Sequence, residues 1–242
     1  MNSDDIVKKA YFSLTNYIES ECSSGEDLMV KAYVELKKWI FTHRIVPGQK
    51  LIYQDLVDKL NMSKTPIIYA LNRLEYEGFV ERYLNRGYFV HEMDEEEASE
   101  LFDAREAIEI FSLERGLENL TDANLKEIEK MVNYHSETDY GNMRKRLILD
   151  MSLHLKITQT TGNKFLIKML QGLFGRLYLT YSFDKLDPGR RVTSEEEHRK
   201  FFETLKNKDM EAARALLQKH IRNGKRALTE GLQEYFPVRM SN

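Results

Sequence analysis

The sequence predicts a mostly α protein in two parts: an N-terminal winged helix-turn-helix with a small β hairpin, and a C-terminal all-α antiparallel helical bundle. Three observations predict it. Apolar residues recur at helical spacing along most of the chain. Two short runs, Phe79–Leu84 and Tyr88–Val90, read instead as strands joined through Asn85-Arg86-Gly87, a hairpin signal. Only 4 Pro and 12 Gly are spread over 242 residues, too few for a many-hairpin β protein.

The elements follow in order. Asp4 to Ile18 has one apolar face (Ile6, Val7, Ala10, Tyr11, Leu14, Tyr17, Ile18) and ends at Ser23-Ser24-Gly25. Residues 1–25 therefore read as a helical extension, packed on its own domain or laid on a partner subunit. Residues 26–92 form the winged domain. Leu28 to His43 reads as a helix that ends near the Val46-Pro47-Gly48 turn. Gln54 to Leu60 is a short helix, and Asn61-Met62-Ser63 a tight connection. A second helix follows, with Ser63 or Thr65 as N-cap and Pro66 in the first turn, where a missing N–H costs nothing. Its apolar stripe is Ile67, Ala70, Leu71 and Leu74, and Gly78 stops it. Residues 93–235 read as six helices, near 94–118, 122–138, 142–161, 163–183, 194–206 and 209–232. Glu95-Glu96-Glu97 suits a helix N-terminus, and Ser194 with Glu197 reads as a capping box opening the fifth of these helices.

Composition narrows the function classes. A net charge of −3 and a pI near 6.1 argue against nucleic-acid binding by bulk charge, so local geometry would have to do it. The single cysteine, Cys22, excludes an internal disulfide framework and a Cys-rich zinc module. No run approaches the roughly 18 apolar residues that span a bilayer, so no membrane partner is expected. The N-terminus, with acids before its bases and no apolar core, does not read as a signal peptide. The expected location is cytoplasmic.

Helix, short helix, tight turn, longer helix and hairpin together describe a DNA reader. The second helix must lie in the major groove, and the wing reaches backbone or minor groove. Ser63, Lys64, Thr65, Tyr69 and Asn72 on that helix, with Arg86 and Gly87 at the hairpin, are the candidate contacts to a double-stranded DNA operator. Lys64 suits phosphate or guanine, Thr65 phosphate, and Arg86 phosphate or a narrow minor groove. The run Leu56 to Val80, with Val46-Pro47-Gly48 and Arg86-Gly87, resembles the GntR family of bacterial transcription regulators. That family usually has an arginine where Ile68 stands, and often another near Gln54.

The helical half carries a second constellation. Asp150 and His154 are four apart and share a helix face. Residue 209 lies midway between His198 and His220, so a helical hairpin folded there sets both at one height. One carboxylate and three imidazoles would suit a divalent ion such as Zn²⁺, Ni²⁺ or Mn²⁺. An Asp-x-x-x-His pair can equally be a surface pair or a capped core histidine. The run Asp150 to His154, then Gly162-Asn163, Glu197-His198, Asp209 to Ala213 and His220-Ile221, resembles the FCD effector domain of the GntR subfamily named after FadR. The resemblance implies that Asp150, His154, His198 and His220 hold a metal, beside a pocket for a small organic acid effector.

Arg105 and Glu109 are one turn apart, which reads either as a helix salt bridge or as an inward arginine fork for an effector carboxylate. Arg176, among Leu173, Phe174, Leu177 and Tyr178, is a second candidate for the effector. Palindromic operators need two-fold symmetry, so a homodimer is expected. The first effector-domain helix is its expected interface, because Phe102, Ile108, Ile110, Phe111 and Leu113 offer more apolar surface than one buried face needs. The alternative function is a metal-dependent hydrolase or lyase using the same Asp/His₃ set. No His-Glu-x-x-His or phosphate-cradling Gly loop accompanies it.

Overall fold

In the computed structural model, described for residues 27–138, 143–180 and 188–235, the chain folds as two compact units. The N-terminal helix expected over Asp4–Ile18 lies outside the described residues. Of the described residues, the winged unit contains 27–93 and 175–180, and the helical unit contains the others.

In the winged unit, α1 (Leu28–Phe41) is capped by Asp27, whose carboxylate accepts from the Met29 N–H at 2.8 Å. Next come β1 (Lys50–Leu51), α2 (Tyr53–Leu60), α3 (Lys64–Tyr76), β2 (Val80–Tyr83) and β3 (Gly87–Val90). α1 packs along α3 through fully buried Ala32, Tyr33 and Leu36 against Ile67, Ala70, Leu71 and Leu74. The apolar stripe read from spacing is therefore the buried face of α3. Asn61 turns the chain between α2 and α3 in the left-handed region, at φ 50°. Ser63 is the N-cap of α3 by backbone conformation, without a side-chain cap hydrogen bond.

The sheet has the order β1-β3-β2 and is antiparallel throughout, with Lys50 opposite Phe89 and Val80 opposite Val90. The predicted hairpin is present. β1 is an addition that the sequence did not announce, since two residues are too few to show an alternation. A buried lysine ties the unit together: Lys37 Nζ lies 2.5 Å from Glu77, which also accepts from the Tyr33 hydroxyl at 2.6 Å. Tyr178, within the Gly175–Thr180 stretch of this unit, stacks on Phe41 with ring centroids 5.3 Å apart, so it fills core here.

The helical unit comprises α4 (Glu95–Gly116), α5 (Asp122–Glu137), α6 (Met143–Gln159), most of α7 (Lys164–Thr180), α8 (Pro188–Lys206) and α9 (Met210–Tyr235). The acidic run opens α4 as expected, behind an Asp94 cap. Thr121 and Asn124 form a capping box at α5. α4 and α9 are antiparallel, as a ladder of polar pairs shows: Glu114–Arg214, Glu106–Arg222, Asp103–Lys225 and Glu95–Gln233. α4 and α6 approach closely at Gly116, where a Cβ would overlap Thr160 Oγ1.

Two expectations need correction. Ser194 does not cap a helix, because α8 starts six residues earlier at Pro188. Proline is at home in a first turn, so Pro188-Gly189 opens this helix. The surplus apolar surface assigned to α4 is also mostly consumed inside the chain. Phe102, Ile108, Ile110 and Leu113 are buried, and of the five residues only Phe111 is exposed. The cause is that α4 packs on α9 and on α6, which takes more than one face.

Candidate functional site

Asp150 and His154 stand on α6, His198 on α8 and His220 on α9. Their nearest donor atoms all lie within 4.8 Å of one another. The α8–α9 turn, with Lys208 in the left-handed region, brings the His198 and His220 rings to 4.5 Å between centroids. Asp150 Oδ1 is the hub, at 3.0 Å from His198 Nε2, 3.5 Å from His220 Nε2 and 3.9 Å from His154 Nε2.

A second ring of polar groups orients these side chains. Glu109, buried on α4, lies 2.5 Å from His154 Nδ1 through one oxygen and 2.5 Å from Arg105 Nε through the other. Glu197 lies 2.8 Å from His220 Nδ1 and accepts from Asn223 Nδ2 at 2.6 Å. A carboxylate at Nδ1 places the imidazole proton there, which leaves the Nε2 lone pair bare. The two Nε2 atoms of His154 and His220 then face each other at 3.2 Å, with Asp150 Oδ1 beside them. Acceptors converging in a buried space repel unless a cation lies between them. His198 adds to this: both of its ring nitrogens are buried without a hydrogen bond, Nε2 being close to Asp150 but out of line. The donor set therefore fits a divalent metal ion.

The protonation states fit as well. Burial pushes the His154 and His198 imidazoles below their ordinary range, toward the neutral form that ligates. Burial alone would raise the Asp150 carboxyl, yet the surrounding imidazoles hold it well below the usual carboxylate range. Burial likewise works against Glu109, and the Arg105 charge, with the hydrogen bonds from His154 and Arg105, outweighs it and lowers the group.

His135, on α5, was not singled out in the sequence. Its ring packs edge-on to His198 at 4.8 Å, and its Nδ1 is buried without a hydrogen bond. Burial pushes it down to about 4, from an ordinary value of 6.5. A histidine neutral in the fold and free to charge when unfolded stabilises fully above pH 6.5, and that stability is lost as pH falls toward 4. Metal-stripped protein should lose about 3 kcal/mol across that window from His135 alone. Urea titrations at pH 7.5 and 4.5 check this, and equal midpoints would contradict it.

Arg105 points inward and is engaged: it pairs with Glu109 and its NH2 lies 3.8 Å from Asp150 Oδ2. Of its two readings the helix salt bridge is present, and it borders the candidate metal ligands. Arg176 is placed elsewhere. Its guanidinium lies against Gly78, where a Cβ would sit 3.2 Å from it, in the winged unit. The pairing of Glu109 with His154 and of Glu197 with His220 is not legible in the sequence, because the partners lie 45 and 23 residues apart. The His220/Asn223 spacing on one helix face is the only local trace of Glu197's role.

In the winged unit, Ser63, Lys64, Thr65, Tyr69, Asn72 and Arg86 are all exposed. Asn72 Oδ1 accepts from the Tyr88 hydroxyl at 2.6 Å, which ties α3 to the wing. Arg86 lies over the Tyr83 and Phe89 rings, and Gly87 follows it at φ 92°, a conformation that favours glycine.

Comparison with known proteins agrees with both halves. Residues 28–90 match the bacterial regulatory proteins of the gntR family, and residues 100–223 match the FCD domain. The HTH-type transcriptional regulator McbR of Escherichia coli K12 is 25% identical over 186 residues, 76% of this chain and 84% of that protein. The Nta operon transcriptional regulator of Aminobacter aminovorans is 24% identical over 175 residues, 72% of this chain and 82% of that protein. The solved structure of E. coli McbR/YncC superposes with a TM-score of 0.70 at 23% identity, covering 86% of this chain and 99% of that one. These relatives are regulators, and none of them supports the hydrolase or lyase alternative. Among the described residues no helix is long and apolar enough to cross a membrane. The chain belongs to the GntR family, with an FCD domain behind its winged helix, and is a DNA-binding transcription regulator.

Proposed function

We propose that a divalent metal held by Asp150, His154, His198 and His220 anchors a small carboxylate effector, and that this ligand tunes operator binding by a homodimer in the cytoplasm. One observation carries the reading: one carboxylate and three imidazoles from three helices converge in buried space, with the Nε2 atoms of His154 and His220 3.2 Å apart and Asp150 Oδ1 3.0 Å from His198 Nε2. Four protein donors leave two positions on an octahedral ion, which a carboxylate can fill. Arg105, bordering Asp150, adds positive charge on that side. A ligand shifts domain arrangement only so far as it binds one arrangement more tightly, and a coupling of about 1–3 kcal/mol changes operator affinity roughly 5–150-fold.

Calorimetric titration of small mono- and dicarboxylates into metal-loaded and metal-stripped protein tests this. Binding confined to the loaded form supports it, and equal binding to both forms contradicts it.

For the operator face, we assign Ser63, Lys64, Thr65, Tyr69 and Asn72 to the groove, with Arg86 and Gly87 at the wing. Lys64→Ala and Arg86→Ala should each lower the salt slope of DNA binding by about 1 if they touch phosphate. Binding curves at several salt concentrations read this directly, and slopes equal to wild type would remove both residues from the interface.

A further inference from the structure

The outward face of α3 contains something that folding does not require. Ile67, Ala70 and Leu71 are fully buried, yet their neighbours Ile68 and Tyr69 are 41% and 40% exposed. A branched apolar side chain in mid-helix lowers helix propensity and gains nothing from water. Its position, one turn into a helix that reads the major groove, is where side chains reach base edges.

Apart from Lys64 at the start of α3, the side chains that grip a base with two hydrogen bonds are absent from this face or already committed. The only arginine of α3, Arg73, is turned to the other side, with its guanidinium 4.1 Å from the centroid of the buried Tyr33 ring and Nε 3.4 Å from Glu77. Asn72 has given its carbonyl oxygen to Tyr88. Gln54 on α2 donates to Asp58 at 2.9 Å. A guanine would find no arginine fork on α3, and an adenine no uncommitted amide there. The apolar group that the major groove does present is the 5-methyl of thymine.

We propose that Ile68 is a specificity-determining residue that reads a thymine methyl group in the operator, while Lys64, Thr65 and Arg86 position the helix on the backbone. This rests on α3 being the DNA-reading helix of the regulator. It deepens that reading by naming the base and the atom that are recognised.

The test begins with selection of bound sequences from random duplex DNA by the full-length protein. The selected duplex is then rebuilt with deoxyuridine in place of each thymine in turn, which removes only the methyl group. One position is expected at which wild type loses about fourfold in affinity per methyl, the value of burying one such group. Ile68→Ala protein, whose change is at the surface, should bind more weakly but show no loss at that position. Ile68→Arg should move the base selected there to guanine. Uracil penalties equal in wild type and Ile68→Ala, or a wild-type selection with G·C at every contacted pair, would overturn the proposal while leaving DNA binding intact. Enrichment of no sequence would overturn both the proposal and the assignment of α3 to DNA.

Discussion

Replacing His198 with alanine is expected to abolish metal retention while leaving the winged helix able to bind DNA. His198 is buried on α8 and makes no hydrogen bond through either nitrogen, so in the metal-free protein its loss removes an unsatisfied polar group as well as packing. Those effects oppose each other, and the metal-free melting temperature should change little. The difference appears with metal. An ion that binds only the folded state stabilises by about 2.7 kcal/mol at a hundredfold excess over Kd. For a chain of this size that raises the melting temperature by roughly 5–10 °C. Wild type should show the rise and His198→Ala should not. Elemental analysis and melting curves with and without Zn²⁺ measure both. A variant that keeps its metal and its thermal response would reduce the constellation to a coincidence of helix surfaces.

The second large effect concerns Glu109. Its carboxylate is buried between the Arg105 guanidinium and His154 Nδ1, both at 2.5 Å. Glu109→Gln keeps the shape and removes the charge, leaving buried Arg105 with its nearest counter-ion gone and Asp150 Oδ2 at 3.8 Å. Breaking a buried pair from one side costs about 3–5 kcal/mol. The same change loosens the hold on the His154 tautomer, and losing such an outer partner lowers metal affinity about 10–100-fold. Both readouts should move together, in denaturant unfolding and in metal titration. A purely structural role would lower stability and leave the affinity of the folded protein unchanged. The double variant Glu109→Leu/Arg105→Met removes the whole pair and should recover most of the stability without the affinity, because matched apolar groups can replace a buried ion pair at little cost.

What could be read in advance depended on range. The apolar stripe of α3 and the acidic start of α4 are local patterns, and both lie where the spacing put them. The mirror placement of His198 and His220 about residue 209 needed only one assumption, a tight helical hairpin, and the rings do meet. Contacts across many residues left no such trace. His135 packs on His198 from 63 residues away, and the orphaned ring nitrogens become visible only once the helices are assembled. Phe102 and Leu113 were assigned to a subunit interface because a sequence shows how apolar a helix is, and not how many neighbours will cover it. Arg176 shows the same limit of range: its guanidinium lies against Gly78, within the winged unit.

On the proposed function, the metal centre of the helical unit controls the winged helix. This control is tested most directly by operator affinity, measured by fluorescence anisotropy on metal-stripped protein, on protein reloaded with Zn²⁺, Ni²⁺ or Mn²⁺, and on reloaded protein given the carboxylates that bind it. A change of roughly 5–150-fold is expected between ligand-free and ligand-bound reloaded wild type. None is expected in His198→Ala, which should bind the operator like stripped wild type. Operator affinity that is the same in every state of the wild-type protein would contradict the proposed function.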